Sequence, residues 1–165
     1  MAREISLTRG LLAIVDDQDF DFLSTWKWHA KASGDGSFFY AARSSSRSSD
    51  RPRRYILLHR VLLDAPPGVL VDHVNLNTLD DRRSNLRLCS KAENCRNGRP
   101  RGSKSGFKGV TWYPRYGRWV AAICVDYRVK TLGYFDDKVL AAQAYDVAAR
   151  SHFGEFARVN FQEEA

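Results

Sequence analysis

Val69-Leu70-Val71-Asp72-His73-Val74-Asn75-Leu76-Asn77, followed by Asp80-Asp81-Arg82-Arg83-Ser84-Asn85-Leu86-Arg87-Leu88 and then Ser90-Lys91-Ala92-Glu93-Asn94, is the stretch that decides the fold. An apolar run leads into an Asp-His pair, a polar Asn-rich loop follows, and Leu86-Arg87-Leu88 reads as a second short strand. Ser90 and Glu93 have capping-box spacing, with Ser90 as N-cap and Glu93 at N3. A helix starting there carries Asn94 and Asn97 on neighbouring positions of one face. The local structure predicted is β-β-α.

Adjacent side chains on a strand point to opposite faces, so Asp72 and His73 converge only where the strand bends or ends. The loop from Asn75 supplies that end, and the unit can bring Asp72, His73, Asn85 and Asn94 together. Hydrolysis of a phosphodiester needs an activated water, a cation on the phosphoryl oxygens and help for the leaving oxygen. Neutral imidazole suits the first task. A carboxylate and an amide oxygen suit a hard ion such as Mg²⁺, which completes its shell with water and phosphate. The bland alternative is a polar turn whose asparagines only make Asx hydrogen bonds.

Taken with Leu58-His59-Arg60 upstream and Asn97 downstream, this pattern resembles the HNH family of ββα-metal endonucleases, in its phage and intron-encoded homing type. The resemblance implies that His73 is the general base and that Asp72 and Asn94 hold one divalent metal ion, Mg²⁺ first and Mn²⁺ second. It also implies that Asn85 fixes the imidazole orientation. Arg87 becomes a candidate phosphate contact. His59 is expected to pack near the site without touching metal.

The composition agrees with a polyanionic partner. The chain has 165 residues, with 26 Lys+Arg against 19 Asp+Glu, a net charge of +7 and a pI near 9.5. Hydrophobic residues make up 44%, which is globular composition and excludes disorder from end to end. The apolar stretches are too short to span a bilayer and no signal-peptide block opens the sequence, so a cytoplasmic protein is expected (host cytoplasm if phage-encoded), with no membrane partner. Cys89, Cys95 and Cys124 form neither a disulfide framework nor a zinc knuckle.

Charge is uneven along the chain. Asp16, Asp17, Asp19 and Asp21 make an acidic corner, whereas no acid occurs from Asn94 to Val125. That acid-free stretch carries Arg96, Arg99, Arg101, Lys104, Lys108, Arg115 and Arg118, and a second basic run goes through Arg43, Arg47, Arg51, Arg53 and Arg54. Such runs read either as solvated loops or as strips that track phosphates. Residues 1–54 look β-rich, with Trp26, Trp28, Phe20 and Phe22 as a small core. Residues 55–98 hold the β-β-α unit, and 99–105 have the Gly, Pro and basic composition of a linker.

Residues 106–162 read as a separate β-β-β-α module. Its strands are Phe107–Trp112, Arg118–Val125 and Arg128–Phe135, with a tight turn at Asp126-Tyr127. Asp136 is the expected N-cap of the closing helix and Gly154 its C-terminal stop. The landmarks Gly109-Val110, Gly117-Arg118-Trp119, Ala121-Ala122-Ile123, Leu132-Gly133, Ala144-Tyr145-Asp146, Phe153-Gly154 and Asn160-Phe161 resemble the plant ethylene-response-factor (AP-two) DNA-binding domain. One helix covers one sheet face, and the resemblance gives the other face to DNA. It nominates Lys108, Trp112, Arg115, Arg118, Arg128 and Lys130. At central reading positions this chain offers Ala122, Cys124 and Thr131, which favours backbone binding over base readout. Trp119 is expected in the core.

The reading is an α+β, metal-dependent, nicking endonuclease acting on double-stranded DNA, a monomer or weak dimer without a small-molecule cofactor. Its rivals are a non-catalytic, sequence-specific DNA-binding regulator on a nuclease scaffold, and an RNA-directed nuclease.

Overall fold

The computed structural model describes residues 1–45, 54–98 and 104–162. Arg47, Arg51 and Arg53 of the second basic run, and Arg99 and Arg101 of the expected linker, lie outside the described residues. The architecture is α+β, built from small antiparallel sheets and four α-helices. No helix among the described residues is long and apolar enough to cross a membrane. The chain divides into two units, Met1–Asn94 and Cys95–Ala165.

The first unit opens with a hairpin of β1 (Ala2–Ser6) and β2 (Leu12–Asp16), and α1 (Asp17–Leu23) follows. The strands β3 (His29–Ala32), β4 (Phe39–Ser44) and β5 (Tyr55–Leu57) form a second sheet in that order. The short helix α2 (Leu58–Leu62) leads to the hairpin of β6 (Leu70–His73) and β7 (Leu86–Cys89), and α3 (Lys91–Asn97) closes the sequence of elements. The capping box is formed: Ser90 Oγ accepts from the Glu93 N–H at 3.3 Å, and Glu93 Oε2 accepts from the Ser90 N–H at 2.8 Å.

A single core joins what the sequence had separated at residue 54. Val15, Leu23, Trp28 and Ala41 pack in one cluster with Leu58 and Leu86, so the N-terminal strands are the wall on which the β-β-α hairpin rests. Leu23 and Leu58 are fully buried, each stabilising the fold by about 1.5–3 kcal/mol. Trp28 anchors its indole by donating from Nε1 to Leu23 O at 2.8 Å. Phe22 departs from expectation: it is 54% exposed, with its ring T-shaped to Trp26 at 4.9 Å.

The second unit contains β8 (Val110–Tyr113), β9 (Arg118–Val125) and β10 (Arg128–Phe135), ordered β10-β9-β8, with α4 (Lys138–Phe153) across one face. Asp126 and Tyr127 both take positive φ, 50° and 62°, the geometry of a two-residue hairpin turn matched to strand twist. The N-cap of α4 is Asp137, not Asp136. Asp137 has extended backbone and its carboxylate accepts from Val139 and Leu140, while Asp136 pairs with Arg118 at 3.0 Å. Ala141, Ala142 and Ala149 are fully buried, which lets the helix lie close on Val110, Ala121 and Ile123.

Candidate active site

The Asp-His pair sits at the loop end of the β6–β7 hairpin, in register with Arg87 and Leu86 respectively. Strand alternation sends the two side chains to different surroundings. Asp72 meets its cross-strand partner: Arg87 donates from Nε (3.0 Å) and Nη2 (2.7 Å) to Asp72 Oδ2. His73 instead points its Nε2 at Asp81 Oδ1, 3.0 Å away. His59, from α2, brings Nδ1 to 3.8 Å from the same oxygen, and its ring stands edge-on to His73 at 5.1 Å. Tyr40 packs beside both imidazoles.

All three polar groups are out of water: Asp81 is 0% exposed, His73 4% and His59 5%. Burial, reinforced by the charges of His73 and Arg60, pushes His59 down to about 3, so the ring is neutral at pH 7. Its approach to Asp81 is therefore a polar contact and not an ion pair. Burial pushes the Asp81 carboxyl up, and the hydrogen bond with His73 pulls it back. The Nδ1 of His59 and the Oδ2 of Asp81 are buried without a hydrogen-bond partner.

The loop between the strands is held by long-range bonds that fix where Asp81 points. Ile14 of β2 bridges it, accepting from Asp81 N and donating to Leu79 O, both at 2.8 Å. Arg83 donates its N–H to Asp16 at 2.8 Å and closes a two-pronged ion pair on Asp19, each prong 2.8 Å. The acidic corner of the N-terminus is thus a clamp on this loop. Asp80 takes Arg82 and Asn75, and the bonds from Arg82 hold its carboxyl below the usual range. Arg60 ties the 65–69 turn by donating to Ala65, Pro66 and Val69 carbonyls.

The residue that meets the imidazole is Asp81 and not Asn85. Asn85 Oδ1 accepts from Asn75 N at 2.9 Å and its Nδ2 donates to Asp80 O at 2.7 Å, so the amide shapes the loop. Asn94 is exposed on α3, while Asn97, one turn on, is buried. Asp72 and Asn94 offer a buried carboxylate and an exposed amide, hard oxygen donors whose chemistry fits a divalent ion that keeps several waters. Arg87 spends its guanidinium on Asp72, inside the hairpin, and is only 12% exposed at the side chain.

Comparison with known proteins now bears on these residues. The pattern of the HNH endonuclease family matches residues 64–96, the span of the hairpin, its loop and most of α3. Protein 3.8 of Escherichia phage T7 is 30% identical over 109 residues, covering 65% of this chain and 89% of that protein. Residues 64–96 are an HNH endonuclease family segment. A mimivirus relative from Acanthamoeba polyphaga, named as an uncharacterized HNH endonuclease, is 27% identical over 152 residues, 92% of this chain and 76% of its own. The plant AP2-like ethylene-responsive transcription factor TOE2 of Arabidopsis thaliana is 44% identical over 62 residues, 38% of this chain and 13% of that protein.

Two features of the HNH unit escaped sequence reasoning. Asp81 has no role assigned by the sequence, because nothing local separates it from Asp80. His59 was expected near the site, yet not within reach of the carboxylate that holds His73. In the second unit, cross-strand register decides the faces. Trp112, Arg128 and Lys130 are exposed, yet they pair with Trp119, Val125 and Ile123, on the side of the sheet that α4 covers. The open side instead carries Thr111, Tyr113, Arg118, Ala122, Cys124 and Thr131. Tyr113, Tyr116 and Tyr134 cluster there, with ring centroids 5.1–6.4 Å apart. Lys108 is turned inward, donating its ammonium to Arg96 and Gly98 carbonyls, and burial pushes it down to about 8. Arg96 lies over the Phe153 ring, whereas Lys104 and Arg115 are exposed.

Proposed function

We propose that this HNH chain is a divalent-metal-dependent endonuclease that nicks double-stranded DNA, with His73 as general base. The observation that carries the reading is the buried 3.0 Å contact of His73 Nε2 with Asp81 Oδ1, at the residue that follows Asp72 on the strand. With its Nε2–H donated to Asp81, the ring presents Nδ1 as the basic nitrogen. Nδ1 takes a proton from water as the water oxygen bonds to phosphorus. The bond from phosphorus to the 3′ oxygen breaks, that oxygen takes a proton from solvent water, and a 5′-phosphate and a 3′-hydroxyl end are left. Asp81 acts as a positioning residue, fixing the tautomer and steadying the imidazolium as it forms.

Asp72 and Asn94 would hold the divalent ion, with Mg²⁺ the first choice by donor hardness, and that ion supplies positive charge for the phosphoryl oxygens when bound. Arg87 sets the direction of the Asp72 carboxylate. Asn85 keeps the loop shaped so that Asp81 reaches the ring. One such site per chain gives a nick, and a double-strand break needs two chains or two events.

The second unit serves as a DNA-holding module of the ethylene-response-factor type. Its open face, uncharged at the central positions Ala122, Cys124 and Thr131, favours contacts to the DNA backbone by Arg118 on that face and by the exposed Arg115. Tethering this contact to the HNH unit raises the effective concentration of each on the same duplex.

Supercoiled plasmid incubated with the protein and Mg²⁺ tests the reading. Nicked circles that vanish in His73→Ala are the expected result. Tight binding by the native protein with no cutting overturns it and supports the regulator. Faster cleavage of RNA than of duplex DNA moves the substrate assignment to RNA.

A further inference from the structure

We propose that His59, His73 and Asp81 form a second metal site, selective for a borderline transition ion such as Zn²⁺, and that its occupation switches the nuclease off. The site is distinct from the hard-oxygen pair Asp72 and Asn94. The ligand atoms of the three side chains all lie within 4.8 Å of one another. A tetrahedral ion with bonds of about 2.0–2.1 Å needs its ligands about 3.3–3.4 Å apart. The two measured separations, 3.0 Å from His73 Nε2 and 3.8 Å from His59 Nδ1 to Asp81 Oδ1, straddle that length. Small side-chain adjustments close the difference.

Unmet bonding capacity points the same way. His59 Nδ1 and Asp81 Oδ2 are buried and lack a hydrogen-bond partner, a situation that costs free energy unless an ion or water relieves it. Two imidazole nitrogens and one carboxylate oxygen select Zn²⁺, Co²⁺ or a like ion over Mg²⁺, with a fourth position left for water. No hydrogen bond within the site uses His59 Nδ1, so it supplies a ligand without losing a bond.

The consequence for chemistry follows from proton bookkeeping. A metal on His73 Nε2 requires that nitrogen to give up its proton, and the neutral ring then carries its remaining proton on Nδ1. The nitrogen that would accept a proton from water is occupied. Asp81 is drawn from the imidazole to the ion at the same time. Binding stands on geometry alone, while inhibition rests on the reading of His73 as the base.

The full chain, stripped of metal, is titrated with Co²⁺ in excess Mg²⁺ and the visible absorption followed. One equivalent should give the intense bands of four-coordinate Co²⁺. Asp72→Asn should keep them, and His59→Gln should weaken Co²⁺ binding at least about tenfold. Zinc-edge absorption spectroscopy on the native protein, which needs no variant to fold, should show two imidazoles and no sulfur around Zn²⁺. Absence of the bands, equal binding in His59→Gln, or sulfur in the shell overturns the site. Zn²⁺ should also stop plasmid nicking in Mg²⁺. A confirmed shell with undiminished nicking overturns the switch and the role of His73 together, leaving the metal site itself standing.

Discussion

Asp72 and Arg87 face each other across the β6–β7 hairpin, and Nε and Nη2 of the guanidinium, at 3.0 and 2.7 Å, meet the same carboxylate oxygen, Oδ2. The pair is buried, so its two charges depend on each other more than a surface pair would. The arrangement also sets a positive charge beside the carboxylate proposed to hold Mg²⁺.

Arg87→Gln should therefore show metal-dependent stability. Without metal the variant removes the guanidinium from a buried carboxylate, a loss of about 3–5 kcal/mol. Divalent ions then have the carboxylate without a competing cation. Thermal melts in EDTA and in Mg²⁺ check this: the gap between the two Tm values should be wider in the variant than in the native chain. Equal gaps would remove Asp72 from the metal site.

Asp81→Asn tests the positioning role. The amide has nearly the same shape but cannot accept Nε2–H with a charge, nor steady an imidazolium. Nicking should fall on the order of 10²-fold or more, in kcat and not in KM, since no DNA contact is removed. Single-turnover nicking with labelled plasmid separates the two constants. A change confined to KM would mean that Asp81 is a structural residue of the loop.

Much of this unit can be read from residues 69–97, because a capping box, an Asn-rich turn and two apolar runs are local signals. The partner of the imidazole is not local. Asp80 and Asp81 are chemically identical neighbours, and only the pinning of the loop by Ile14 and Asp16 turns one to Arg82 and the other to His73. Lys108 shows the same limit. Its charge marked it for phosphate, yet the carbonyls of Arg96 and Gly98 lie within reach of its ammonium. The faces of the C-terminal sheet were legible in part: Ala121 and Ile123 announce the covered side, but placing Lys130 there requires the register opposite Ile123.

The acidic corner gives a further test. Asp19→Ala removes both prongs of the ion pair with Arg83, a partly buried and charge-assisted contact that stabilises by roughly 1–3 kcal/mol. The effect on catalysis should exceed that of a surface change, because Arg83 lies two residues from Asp81. We expect a lower Tm together with slower nicking at temperatures where the protein remains folded. Full activity with lowered Tm would show that the loop needs no clamp from the N-terminus.

Gly109 offers a steric prediction in the second unit. Its φ is +75°, and a Cβ there would come within 1.9 Å of the Tyr145 ring. The ring is buried under the sheet and has nowhere to retreat. Gly109→Ala should cost more than the roughly 1–3 kcal/mol typical of an overpacked position, since backbone strain adds to the clash. Fluorescence-monitored urea unfolding would report the loss, and DNA affinity should fall with it.

Tyr145 itself supplies a pH test. Burial, with Asp146 adding to it, pushes its phenol up to about 12, against an ordinary value near 10. The folded state keeps the proton that the unfolded chain releases as pH rises through 10. Stability from this source is complete below pH 10 and is lost progressively between 10 and 12. Tyr145→Phe has no proton to lose, so its Tm should decline less over that window than the native protein's. The ring stays buried against Gly109, and the two proteins should differ little at pH 7. Parallel declines from pH 10 to 12 would mean that the phenol is as well hydrated in the fold as in the open chain.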